Sequence, residues 1–341
     1  MKNNLLRIFI LTFVIAAVLF IGLRNTRGQY VKLAGLIQGT SYHITYQSRY
    51  EKNLQREIDS LLADFDHSCS IYLPGSIISR INQNDPDIEA DEILISIFNK
   101  SVEVNKKTGG AFDITVGPLV NAWGFGSTVA SETDSSKIDS LMQFIGMDKV
   151  RLSGKKIIKT NPGVMLDVNA IAQGYSVDIV AQYLEKMKIK NYMVEIGGEI
   201  STKGRNDKGN IWRIGIDKPL EGNITPGANL QAILQLNRKS LATSGNYRKF
   251  YEKNGIKYAH TINPRTGYPA ISNLLSATVI ADDCMTADAY ATAFMVMGLE
   301  KSIEFLNRNK SLDAYLIYND EKGKYKIYYT EGFSRYLAEQ L

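Results

Sequence analysis

The sequence predicts an α+β fold: a single large body of mixed sheets and helices behind an apolar N-terminal segment. Three observations predict it. Helical and strand-like patterns alternate irregularly, without the regular strand–helix–strand spacing of a doubly wound sheet. From about Tyr30 onward, no internal repeat, low-complexity segment or long linker divides the chain. Neither a Gly-x-Gly-x-x-Gly turn after a strand nor a Gly-Lys-Ser/Thr phosphate loop occurs, so Rossmann and Walker sites have no support.

The elements follow in order. Lys2 and Arg7 lead into an apolar run over 8–23 that only Thr12 and Gly22 interrupt. With Leu5 and Leu6 it approaches the ~20 residues that span a bilayer. Arg24, Asn25, Thr26 and Arg27 follow without a small-x-small cleavage site, and no cysteine lies near position 20. The expectation is a single-span membrane anchor over 1–28 (or an uncleaved signal), with the body over 29–341 on the periplasmic side of the inner membrane. Basic residues flank both ends of the run, so charge bias does not set its orientation.

Within the body, helical periodicity covers 53–66, 93–108, 174–188 and 285–298. Strand-like runs cover 41–47, 192–196, 212–217, 230–236 and 275–280. Asn254-Gly255 between runs 247–253 and 256–262 is the dipeptide that best suits a type I′ hairpin turn. A two-residue turn would set His260 opposite Lys249, at the rim of a sheet and just before Asn263-Pro264-Arg265-Thr266-Gly267.

Composition excludes several functions. The 341 residues are 44% hydrophobic and 22% charged, as in an ordinary folded protein. A net charge of +5 with no long basic run beyond the N-terminus argues against nucleic acid as a partner. Two cysteines, Cys69 and Cys284, cannot make a disulfide framework or a multi-cysteine zinc site. Both read as buried free thiols, with one bond between them as the alternative.

Four segments carry candidate chemistry. In Asp288-Ala-Tyr-Ala-Thr292 a carboxylate and a hydroxyl stand four residues apart, on one face of a helix. Two oxygens on a small, apolar face suit a hard cation such as Mg²⁺; the alternative is a helix whose polar groups serve only its own backbone. The segment 110–119 reads as a structured loop passing close to a ligand, or as a helix C-cap with a turn. The segment 166–178 runs from a strand end into a helix start, where Asp167 and Asn169 can cap. The small residues Ala170, Ala172 and Gly174 there admit a ligand such as phosphate close to the backbone, or serve only plain capping and close helix–strand packing. Finally, 192–199 is a buried strand ending in Gly197-Gly198, suited to the floor of a cleft.

Eight ordered motifs resemble those of one family. They are Gln38-Gly39-Thr40, Ser70-Ile71-Tyr72 with Ser79-Arg80-Ile81-Asn82, 110–118, 166–178, Ile196-Gly197-Gly198, Thr243-Ser244-Gly245, 260–267 and the Asp288/Thr292 helix. Together they resemble the FAD:protein FMN transferases, the ApbE-like flavin transferases, from about Leu36 to Gly298. The resemblance implies an enzyme that binds FAD as substrate with Mg²⁺ and moves FMN to a threonine hydroxyl of an acceptor protein, releasing AMP. It implies metal ligands at the Ala170 carbonyl, Asp288 and Thr292. Flavin and phosphate contacts fall on Gln38, Tyr72, Ala111, Phe112, Asp113, Asp167, Gln173 and Ile262, and the general base on His260. Acceptors would be subunits of membrane redox complexes that carry a flavinylation threonine. The sequence departs from the family's pattern at Gln38, commonly methionine, and at Gln173, often lysine or glutamate. Two alternatives are a Mg²⁺-dependent FAD pyrophosphatase, with water as nucleophile, and a non-catalytic, membrane-tethered FAD-binding protein.

Overall fold

The middle strands of this protein have two hydrophobic faces, and that fixes a three-layer arrangement. A computed structural model describes Thr12 and residues 28–126, 134–220, 223, 225, 227–246, 250–253, 256–259 and 261–341. The expected anchor, apart from Thr12 and Gly28, lies outside them; among the described residues no helix is long and apolar enough to cross a membrane.

The chain opens with a hairpin of β1 (Gln29–Ile37) and β2 (Thr40–Ser48). Helices α1 (Gln55–Cys69), α2 (Ile77–Asn82), α3 (Glu92–Lys107), α4 (Gly117–Ala122) and α5 (Ser135–Met142) follow. A small hairpin of β3 (Val150–Ser153) and β4 (Lys156–Lys159) leads to α6 (Asn169–Lys186). Next come β5 (Tyr192–Ile196), β6 (Glu199–Lys203), β7 (Trp212–Asp217), β8 (Leu230–Leu236) and β9 (Lys239–Gly245). A separate hairpin pairs β10 (Phe250–Lys253) with β11 (Ile256–Ala259). The chain ends with β12 (Leu274–Ala281), α7 (Cys284–Met297), α8 (Leu299–Arg308), β13 (Asp313–Asn319), β14 (Tyr325–Tyr329) and β15 (Leu337–Gln340).

Eight strands form the main sheet in the order β1-β2-β5-β6-β9-β12-β13-β14, with every neighbouring pair antiparallel. On one face, Ala242, Ala277, Val279 and Leu316 pack under α1, α3, α6 and α7. On the other face, Leu241, Ile280, Tyr315 and Ile317 meet Ile214, Leu234 and Leu236 of the three-stranded sheet β15-β8-β7. Period-two alternation therefore sends both sets of side chains into cores, which explains the uninterrupted apolar run of β12. The predicted α+β class agrees with this mixed architecture.

α7 is buried along most of its length, and its alanines let neighbouring backbones approach closely. The α6 helix starts at Asn169, inside the segment 166–178 that reads as a helix start and five residues before the periodic run over 174–188. Gly174 hides those first turns from periodicity alone, because glycine is a poor helix former. Its presence is steric: a Cβ at Gly174 would lie 2.7 Å from the Asp288 Cβ. The Asn254-Gly255 hairpin is borne out by the Lys253↔Ile256 pair, although its strands are shorter than expected. Cys69 and Cys284 are both free and buried.

Long-range side-chain bonds lock the loops that the regular elements leave open. Asn82 donates Nδ2 to the Leu166 carbonyl at 2.9 Å and accepts the Leu166 N–H at 2.7 Å, replacing a strand partner with one amide. Asn82→Ala should strand both groups and lower unfolding free energy by about 2 kcal/mol. Urea denaturation at constant m-value checks this.

Candidate active site

Three backbone turns and two helix ends converge at one end of the main sheet. The β1–β2 turn holds Gln38 (φ 53°) and Gly39 (φ 70°) with both backbones left-handed, as a type I′ turn demands. The β5–β6 turn does the same with Gly197 (φ 64°) and Gly198 (φ 109°). The Gly197 N–H donates to the Ser41 carbonyl at 3.0 Å, tying the two turns together. Gln173, in the first turns of α6, lies over Gly197, where a Cβ would collide with its amide. Its Nε2 donates to the Ile196 carbonyl at 3.2 Å. Ser176 Oγ donates to Gln38 Oε1 at 3.3 Å, so Gln38, Gln173 and the glycine turn form one wall.

The second wall is an aromatic ring on a pinned loop. The Ser70 carbonyl accepts the Ser76 hydroxyl at 2.7 Å and the Ser79 hydroxyl at 3.3 Å. Those bonds fix the turn that presents Tyr72, which remains 57% exposed. An exposed, rigidly mounted ring suits stacking on a planar ligand. The Tyr72 hydroxyl end faces Asp167 and Asn169; partial burial, then the Asp167 carboxylate, raises its pKa.

Asp167 accepts the Asn169 N–H at 2.9 Å, and burial pushes its carboxyl up to about 6. α6 itself has no side-chain cap from Val168. In its first turn the Ile171 and Ala172 N–H groups donate to the Val168 carbonyl at 3.0 and 2.8 Å, which leaves the Ala170 N–H as the first-turn donor for an anion. The 110–117 loop runs beside this helix start, with the Asp167 N–H on the Ile114 carbonyl at 2.7 Å. Ala111 and Phe112 are buried in it. Asp113 spends its acceptors on the protein: Thr115 N at 2.8 Å and Thr115 Oγ1 at 2.6 Å within the loop, and Met147 N at 3.2 Å from a later turn. Burial raises its pKa despite those donors.

The 261–270 loop docks on the same side. Arg265 donates to the Gly109 carbonyl at 2.6 Å, and Trp123 Nε1 to the Gly267 carbonyl at 2.8 Å. Ile262 is buried with Leu119, Trp123, Ile138 and Ile145. His260, the residue just before this loop, lies outside the described residues, as do Asn254 and Gly255.

The floor is the contact of α6 with α7. Asp288 is 6% exposed, and burial pushes its carboxyl up to about 7. Among the described residues one donor reaches it, the Gly174 N–H at 2.9 Å to Oδ2. Thr292, one turn further along α7, shares a hydrogen bond of 3.1 Å with Ser244 of β9. No group of three or more His, Cys, Asp or Glu capable of holding a metal occurs among the described residues. The set Asp288, Thr292 and the Ala170 carbonyl needs none: it is one carboxylate with neutral oxygens, and it fits a hard cation that keeps several waters. A nearly buried carboxylate with a single hydrogen bond is an electrostatic deficit that a cation would offset.

Comparison with known proteins decides the family. The profile of the ApbE family matches residues 38–316. The chain belongs to the ApbE family. Relatives named FAD:protein FMN transferase include those of Haemophilus influenzae and Vibrio cholerae. The first is 38% identical over 307 residues, covering 86% of this chain and 88% of the relative. The second is 36% identical and covers 91% and 93%. The solved flavin transferase ApbE from Vibrio cholerae superimposes with a TM-score of 0.82 at 35% identity, over 91% of this chain and 99% of that one. The apo flavinyl transferase ApbE of Pseudomonas stutzeri gives 0.82 at 28% identity, over 92% and 99%.

Reading the sequence alone does not show the contacts that Gly174, Ser244 and Asp178 make around the floor. Gly174 acts through its N–H, and Ser244 through Thr292. Asp178 accepts the Cys284 and Met285 N–H groups at 2.8 Å each. Each acts across a contact that no local pattern encodes.

The buried Asp288 gives a pH signature. Its folded pKa of about 7 lies above the ordinary 3.8. The folded state therefore keeps a proton that the unfolded chain releases, and this group's contribution to stability falls as pH rises from about 4 to 7. In EDTA, Asp288→Asn should gain on the wild type across that window by roughly 2–4 kcal/mol, measured as unfolding free energy from pH 5 to 8.

Proposed function

We propose that this protein transfers FMN from FAD to a threonine hydroxyl of an acceptor protein and releases AMP. Family membership supports the reaction class. Within the site, the observation that carries the reading is the buried Asp288 carboxylate, one turn from Thr292 on α7 and bonded to the Gly174 N–H of α6. Asp288, Thr292 and the Ala170 carbonyl would hold Mg²⁺, which supplies neutralisation of pyrophosphate charge. Tyr72 stacks on the flavin ring, and Gln38, Gln173 and Ile262 bound its pocket. Ala111, Phe112, Asp113 and Asp167 shape the side of the pocket along the 110–117 loop. The Ala170 N–H and the positive end of the α6 dipole face the phosphate oxygens.

In the transfer, the acceptor threonine oxygen attacks the phosphorus on the FMN side of the pyrophosphate. The bond from that phosphorus to the bridging oxygen breaks, and AMP leaves with that oxygen. His260 takes the hydroxyl proton; a histidine with an ordinary pKa near ~6.5 is competent for this near neutral pH. The N-terminal run over 8–23 anchors the body to the inner membrane on the periplasmic side, close to acceptor subunits of membrane redox complexes.

Incubation with FAD, Mg²⁺ and an acceptor carrying a flavinylation threonine should give a covalently fluorescent acceptor, and the acceptor's Thr→Ala variant should stay unlabelled. Rapid FMN release without acceptor, and no label with it, would mark a pyrophosphatase instead. His260→Ala should lower turnover by about 10²–10⁴-fold while sparing FAD affinity measured by flavin fluorescence. Loss of FAD binding in that variant with the fold intact would remove the base assignment.

A further inference from the structure

Two four-residue ladders face each other where α6 meets α7. On α6 the rungs are Ala170, Gly174 and Asp178; on α7, in the opposite direction, they are Thr292, Asp288 and Cys284. At the outer rung, Asp178 Oδ1 accepts the Cys284 N–H and Oδ2 the Met285 N–H, both at 2.8 Å. At the middle rung, the Gly174 N–H reaches Asp288 Oδ2 at 2.9 Å. Four residues of helix rise about 6 Å, so one more step along each helix brings Ala170 level with Thr292.

We propose that Asp178 is a positioning residue for the cation site. By gripping the first two N–H groups of α7 it fixes the register of that helix on α6, and so the separation of Asp288, Thr292 and the Ala170 carbonyl. The inference rests on the Mg²⁺ reading of that site.

Helix capping alone does not account for Asp178. Asp283 already caps α7 locally, accepting the Thr286 N–H at 2.7 Å and its hydroxyl at 2.9 Å. Asp178 arrives from another helix, 106 residues away in sequence from Cys284. Its two oxygens on consecutive N–H groups fix both the rotation and the translation of α7, which a single bond would not. The positive end of the α7 dipole favours the carboxylate there. Asp283 and Asp288 are the charged groups that oppose its ionisation, after burial itself, and together these raise its pKa. No side chain at Gly174 cushions the two helices, so slippage at Asp178 is transmitted directly to Asp288.

The test uses the full chain and four proteins: wild type, Asp178→Asn, Asp178→Glu and Asp288→Asn. FAD affinity is measured by flavin fluorescence in EDTA. The Mg²⁺ midpoint is read from the rise in Tm at saturating FAD. Asp178→Asn should raise that midpoint about tenfold or more and leave FAD affinity in EDTA unchanged, with Asp178→Glu falling between it and the wild type. A lowered Tm with an unchanged Mg²⁺ midpoint would make Asp178 merely structural and overturn the inference. Failure of both Asp178 variants to fold would overturn it equally. If Asp288→Asn loses the Mg²⁺ response while Asp178→Asn keeps it, the inference fails alone. If Asp288→Asn keeps the wild-type midpoint, the metal reading fails and the inference falls with it.

Discussion

The site depends on the close approach of α6 and α7 at Gly174. Any Cβ there would press against the α7 backbone and the Asp288 side chain, so the contact exists only for glycine. Glycine in a helix interior costs about 1 kcal/mol relative to alanine. Here that cost is offset by a backbone N–H aimed at a buried carboxylate and by the packing of two helices through small residues. The contact also places the phosphate-friendly end of α6 beside the only acid on the inner face of α7. Remove the glycine and the helices part, and the oxygen donors of the floor part with them.

Two buried carboxylates meet this constraint in different ways. Asp178 and Asp288 both sit where burial favours their neutral forms, and each is pushed up to about 7. Asp178 is compensated in part by two N–H groups at a helix N-terminus. Asp288 receives one. A buried carboxyl with so little compensation keeps a proton in the bare protein, and a cation supplied from outside the chain would offset its charge on ionisation. The contrast between these two neighbours gives the cation assignment its physical basis, beyond the spacing of Asp288 and Thr292.

Local chemistry was readable from the sequence, and contacts between distant segments were not. The Asp288/Thr292 spacing, the Asn254-Gly255 turn and the strands at 192–196 and 212–217 follow from short-range periodicity and turn preference. The start of α6 was legible from its capping residues but not from periodicity, because Gly174 answers a packing demand set by α7, more than a hundred residues later. Asn82 reads as an ordinary helix-end residue until Leu166, 84 positions away, arrives beside it. The C-terminal strands escape local reading for the same reason: β13 enters the main sheet beside β12 only after α7 and α8 intervene. Gln38 carries the same lesson, since a left-handed glutamine is justified by the hairpin pairing around it.

Charge distribution around the site explains why a cation would be indispensable there. Among the described residues, the side chains named about the α6 start are carboxylates (Asp167, Asp288) and uncharged amides (Gln38, Gln173). Gln173 donates to the Ile196 carbonyl, so even this amide is partly committed to the protein. Arg265, the cation on the adjoining loop, is engaged with the Gly109 carbonyl. A pyrophosphate entering such a site meets, among the described residues, carboxylates and amides rather than a free basic side chain. A helix N-terminus contributes roughly half an elementary charge, well short of what pyrophosphate carries. A divalent ion held by Asp288 would cancel the carboxylate that holds it and still present net positive charge to the phosphates. Without it, Asp288 would repel the substrate that the rest of the pocket is shaped to hold.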